Sequence, residues 1–210
     1  MTRTSRADSI LPCTMPAKAV HILVFPGFAD WEPSHALAEL RRHGNYRVET
    51  VALTLDPVVS MGGLSILPSR TLADVDIDDV AVFILPGGDA WEQKPLDDGL
   101  VELLRDLERR AIPIAAICAA TTAIAKAGQL RGRQHTSNGL AYLRAKVPGY
   151  DGVAEYVDAP AVRDHHVITA SGLADVEFAR EVFAELKLLS EPNLELWTTI
   201  YRSGRLPTKT

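Results

Sequence analysis

Cysteine is nearly missing from this chain of 210 residues, which holds two, Cys13 and Cys118. Two thiols make no disulfide framework, and such sparing use fits a reducing, cytoplasmic compartment. No apolar run approaches the length that spans a bilayer, so no membrane partner is expected. The opening segment lacks the apolar core of a secretory signal. Basic charge is not in excess: 22 Lys and Arg stand against 27 Asp and Glu, a formal net charge of -5. Without a basic stripe or an aromatic RNA-binding pattern, a nucleic-acid partner is not expected. Gly27 belongs to no G-x-G-x-x-G loop, so the phosphate cradle of a dinucleotide site is missing. Neither a cofactor nor a metal is expected. Repeats, low-complexity tracts and internal linkers are absent too.

What is present suits a globular domain. The hydrophobic share of 47% and the charged share of 23% are ordinary for a soluble protein. Residues 1–17, rich in Thr, Ser, Arg and Pro, read as a mobile extension carrying an incidental Cys13. Residues 18–205 are expected to form one domain and 206–210 a short tail.

Ala19 to Phe25 and Val80 to Leu85 are continuous apolar runs, the mark of strands buried on both faces. Tyr46 to Leu55 is a third strand candidate, and Met61 to Leu67, with Gly62-Gly63, suggests a small hairpin. Val153 to Val157 and Val162 to Ala170 read as two more strands. Helical patterns fall at Ala36 to Leu40, Leu96 to Arg110, Leu140 to Val147, Val176 to Leu189 and Leu194 to Tyr201. Strands alternating with helices predict an α/β fold with a mostly parallel central sheet covered on both faces.

One stretch organises the rest. Pro113 to Ile117 is apolar and uncharged, Cys118 follows, and Ala119-Ala120 opens a helical pattern that Gly128 can end. A buried strand turning sharply into a helix puts Cys118 in a nucleophile elbow, with small residues where two backbones approach. The helix N-terminus behind the sulfur would favour thiolate over thiol. Read alone, a cysteine in an apolar strand also serves as a small core residue. Two further strand ends carry unusual chemistry: Pro26 to Glu32, and Pro86-Gly87-Gly88, whose amides lie open. In a parallel sheet these ends converge where ligands bind. Gly87 and Gly88 together with the Ala119 N–H would then make an oxyanion hole. Trp31 and Trp91 lie near two of these ends, as pocket walls or as core or interface residues. Asp164-His165-His166 reads as a solvated turn, because adjacent histidines there point apart and do not share a metal.

These pieces together resemble the ThiJ/PfpI superfamily. They are Phe25-Pro26-Gly27 with Glu32 five residues on, Leu85-Pro86-Gly87-Gly88, Ala116-Ile117-Cys118, and Thr169-Ala170-Ser171-Gly172 followed by Glu177-Phe178-Ala179. Arg133 to Asn138 and the tail from Leu194 to Gly204 are similar to a bacterial branch of YoaZ type, described as class I glutamine amidotransferase-like or protease-like. The resemblance implies a flavodoxin-like three-layer α/β/α sandwich, a homodimer, Cys118 as the reactive thiol and Glu32 as its acidic partner. Burial and like charge would hold such a carboxyl protonated, able to shuttle a proton.

Departures narrow the activity. Ala119 stands where PfpI proteases carry histidine, and no histidine follows Ala170, so the His-x-Glu pair of glutamine amidotransferases is missing. Where related proteins place a histidine about twenty residues beyond the cysteine, this chain has Asn138, with His135 one turn earlier. His135 is thus a candidate base at the site or a structural histidine. The expected function is a cofactor-free enzyme on a small carbonyl substrate, such as a glyoxalase-type conversion of methylglyoxal to lactate. The alternatives are a stress or redox sensor acting through Cys118 oxidation, and amide hydrolysis, which the departures disfavour.

Overall fold

The computed structural model describes residues 18–206. The expected extension 1–17 with Cys13, and residues 207–210, lie outside the described residues. Chain order runs β1 (Ala19–Leu23), α1 (Ser34–Arg42), β2 (Arg47–Ala52), the hairpin β3 (Val58–Val59) and β4 (Ser65–Ile66), β5 (Arg70–Thr71) and β6 (Val80–Leu85). There follow α2 (Ala90–Gln93), α3 (Asp98–Arg109), β7 (Ile114–Ile117), α4 (Ala120–Lys126), α5 (Leu140–Lys146), β8 (Ala161–Asp164), β9 (Val167–Ala170), α6 (Asp175–Glu185) and α7 (Glu191–Ser203).

Seven strands form one sheet in the order β5-β2-β1-β6-β7-β9-β8. Every pairing is parallel except β8 with β9. The fold is therefore α/β with a mostly parallel central sheet. Alternation along each strand sorts the core into two layers. Val20, Ile22, Val82, Ile84, Ala115 and Ile117 meet α1, α6 and α7 through Leu40, Phe178, Phe183 and Leu194. Leu23, Phe83, Leu85, Ile114 and Ala116 meet α3 and α4 through Leu100, Leu104, Leu107 and Ile124. Strands facing two helical layers have no wet side, which is why β6 and β7 are buried at each position.

Two strand expectations need correction. Val153 to Val157 forms no strand; its pairing is a single bridge between His135 and Tyr156, and Val153 is exposed. A short apolar alternation with one bridging partner cannot sustain a ladder. Val162 to Ala170 is not one strand but the β8–β9 hairpin, because His165 and His166 both take positive φ (45° and 64°) and reverse the chain. Those histidines face separate carboxylates, Asp164 at 2.7 Å and Glu185 at 2.6 Å. No described helix is long and apolar enough to cross a membrane.

Candidate functional site

Four strand ends build the site. After β1 the chain turns through Gly27, whose N–H donates to the Val59 carbonyl at 2.8 Å, and reaches Glu32 just before α1. After β6 come Pro86, Gly87 and Gly88. Ala29 N–H donates to the Gly87 carbonyl at 2.9 Å, locking these two turns together. After β7, Cys118 sits at φ 59°. A non-glycine residue held left-handed at the end of a buried strand is the strained conformation of a nucleophile elbow. Its N–H still donates to the Ala170 carbonyl at 2.9 Å, and Thr121 N–H and Oγ1 donate to its carbonyl. After β9, Gly172 closes the ring.

Glu32 is 1% exposed, and its Oε2 accepts the Gly87 N–H at 2.6 Å. Burial raises its carboxyl to about 7, and the Asp175 charge adds to this; the Gly87 N–H and the Cys118 thiol pull the other way. Burial likewise pushes the Cys118 thiol up, opposed by hydrogen bonds from the Asn138 amide and the Ala119 N–H. This corrects the expectation of a lowered thiol pKa. Desolvation is the largest influence on the sulfur, and the neighbouring Glu32 adds to it.

Glycine is required at two points by close approach. A Cβ on Gly87 would lie 2.7 Å from Glu32 Oε2 and 2.8 Å from Cys118 Cβ. A Cβ on Gly172 would lie 2.7 Å from Cys118 Sγ and 3.3 Å from Glu32 Oε1. Backbone thus packs directly against sulfur and carboxyl from two sides.

The structure brings Cys118, Glu32, Gly87, Gly88 and Ala119 together, with one change of part. The Gly87 N–H is committed to Glu32, which takes it out of the expected oxyanion set, and the Ala119 N–H lies against the sulfur. His135 is not brought to the sulfur. It is fully buried, with Nδ1 2.7 Å from the Arg133 carbonyl and Nε2 2.5 Å from the Tyr150 hydroxyl. Both ring nitrogens are occupied, one by a carbonyl of its own loop and the other by a tyrosine beyond α5. That loop is stitched to β9 by Thr136 N–H on Thr169 Oγ1 (2.9 Å) and to α4 by Ser137 and Thr121 (2.6 Å). It thereby delivers Asn138, whose Nδ2 donates to Cys118 Sγ at 3.3 Å while its Oδ1 accepts the Gly172 N–H at 2.9 Å. Trp91 is buried against Phe25 and donates to the Pro86 carbonyl at 2.8 Å, whereas Trp31 is exposed.

Sequence reasoning missed Gly172 as a wall of the site. Its place at the end of a fourth strand was the available signal. Tyr142 was also missed: it follows Asn138 by one helical turn, and its hydroxyl donates to Glu92 at 2.7 Å. Among the described residues, no group of three or more His, Cys, Asp or Glu is placed to hold a metal.

Comparison with known proteins matches residues 18–185 to the DJ-1/PfpI family. The chain is 35% identical over 199 residues to an uncharacterized protease, YoaZ, of Bacillus subtilis, covering 91% of this chain and 94% of that protein. It is 26% identical over 167 residues to the deglycase TK1284 of Thermococcus kodakarensis, covering 80% and 98%. The crystal structure of the DJ-1 superfamily protein Atu0886 from Agrobacterium tumefaciens superimposes with a TM-score of 0.81 at 33% identity, covering 90% of this chain and all of that one.

Proposed function

We propose that this chain, which belongs to the DJ-1/PfpI family, is a cofactor-free enzyme in which Cys118 attacks the carbonyl carbon of a small electrophile. The observation that carries this is one pairing: a strained, half-buried thiol beside a buried carboxyl poised at about 7. A general acid–base group works best when its pKa lies near the operating pH. A thiol pushed upward by burial does not ionise spontaneously near neutrality, so Glu32 takes its proton as sulfur attacks. This also favours an enzyme over a redox sensor, which works best with a low-pKa, accessible thiol.

For methylglyoxal the steps balance without an oxidant. Sulfur bonds to the aldehyde carbon, and the carbonyl oxygen, held by the Gly88 and Ala119 amides, takes from Glu32 the proton that the thiol gave up, which yields a hemithioacetal and leaves Glu32 a carboxylate again. The Glu32 carboxylate removes the hydrogen from that carbon and returns it to the neighbouring one, while the hydroxyl proton passes from the first oxygen to the second, leaving a lactoyl thioester. Water then cleaves the carbon–sulfur bond, releasing lactate and restoring the thiol. Asn138 supports the sulfur by donating to it throughout. Relatives named deglycase agree with a small carbonyl adduct as substrate.

The test is lactate production from methylglyoxal by the reduced protein, beside Cys118→Ser and Glu32→Gln. Turnover is expected to vanish with the first and to fall roughly a hundredfold or more with the second. No lactate above background from folded wild-type protein overturns this activity.

A further inference from the structure

A cavity of about 150 Å³, lined by neither Cys118 nor Glu32, opens on the far side of Phe25 and Trp91. Its floor and walls are Leu23, Phe25, Trp91, Leu100 and Ala123, and Lys94 and Lys126 stand at its mouth. It lies outside the carboxyl end of β1. That strand has β2 on one side and β6 on the other, so this is where the strand order reverses and open α/β sheets bind ligands. Phe25 and Trp91 form the partition from the thiol site. Their rings meet edge to face at 5.1 Å, and the Phe25 ring packs so closely on Gly88 that a Cβ there would lie 2.7 Å from it.

Charge at the mouth has a sign. Lys126 Nζ donates to the Trp91 carbonyl at 3.1 Å, and neither Lys94 nor Lys126 forms an ion pair among the described residues. The acidic side chains nearby are already engaged. Asp97 accepts the Leu100 N–H as the N-cap of α3, and Glu92 is bonded by Tyr142 and Lys146, although its charge also reaches Lys126. A volume of this size accommodates a benzene ring, and two of the cavity's walls are aromatic. We infer that this cavity binds a small aromatic monocarboxylate, its ring between Phe25, Trp91 and Leu100 and its carboxylate between Lys94 and Lys126.

The probe is sodium benzoate, titrated calorimetrically into the full chain, with benzyl alcohol and benzylamine as neutral and cationic comparisons. Benzoate is expected to bind saturably, benzyl alcohol more weakly and benzylamine not at all. Ala123→Leu fills the floor and is expected to weaken benzoate about tenfold or more, as is the double exchange Lys94→Gln with Lys126→Gln. The surface double variant keeps the test alive should the buried one not fold. Protein alkylated at Cys118 is expected to bind benzoate within about twofold of the free protein, because the sites are separate. Absence of saturable binding, equal binding of benzylamine, indifference to the lysine exchange, or loss on alkylation would each overturn the assignment.

Discussion

Glu32→Gln separates the energetic cost of the site from its use. In the folded chain the carboxyl titrates at about 7, against an ordinary value of 4.5. A raised folded pKa means stability that is complete below about 4.5 and is lost as pH rises towards 7. Over that window the unfolded chain releases the proton while the folded one retains it. The difference is worth about 3 kcal/mol at most, from about 1.4 kcal/mol per pH unit. Glutamine fits the same hydrogen bonds: its carbonyl accepts the Gly87 N–H, and its amide faces the sulfur. It cannot ionise. Wild type and variant are therefore expected to melt within about 2 °C of each other near pH 4.5. At pH 8 the variant is expected to be the more stable by roughly 6–12 °C, at about 2–4 °C per kcal/mol for a chain of this size. The same variant loses proton transfer, so stability rises while turnover falls. Melts followed by circular dichroism from pH 4.5 to 8.5 decide it. A pH-independent difference, or a variant less stable at pH 8, would refute the claim that burial raises this carboxyl to about 7.

Other expectations follow from the same geometry. Gly172→Ala drives a methyl group to 2.7 Å from the sulfur; it is expected to cost about 1–3 kcal/mol in urea denaturation and to depress turnover. Asn138→Leu removes the donor on the sulfur, which lowers the thiol's pKa, so the midpoint of the alkylation rate against pH moves upward; an unchanged midpoint would deny that hydrogen bond. His21 is fully buried on β1 with Nε2 unpartnered, and burial lowers its pKa. The folded state then binds fewer protons than the unfolded one, so stability falls as pH drops below about 6.5, and His21→Leu is expected to flatten that acid limb in pH-dependent melts.

Much of this architecture was legible because burial leaves a local trace. Val80 to Leu85 has no polar residue since both its faces meet helices. Pro86-Gly87-Gly88 announces a strand end because the next turn needs open backbone. At Asp164-His165-His166 the turn was legible but the reversal was not: positive φ at two histidines is not a preference of the residue, and the hairpin depends on β8 pairing with β9. The thiol's environment was hidden for the same reason. A helix N-terminus is visible in sequence, but the burial that pushes the thiol up comes with Gly87, Gly172 and Glu32, which pack around it from three other segments.

His135 and Asn138 show where the boundary falls. Both occur in one short loop, and side-chain chemistry favours the histidine as a base. Tertiary structure decided otherwise: Tyr150 and the Arg133 carbonyl occupy the imidazole, while Thr169, Ser137 and Thr121 turn the loop so that its amide faces the sulfur. The sequence by itself determined which strands are buried, where they end, and that one cysteine lies at such an end, because each is a property of neighbouring residues. Which groups touch that cysteine, and at what pKa they meet it, was decided only when four strand ends converged and excluded water from the space between them.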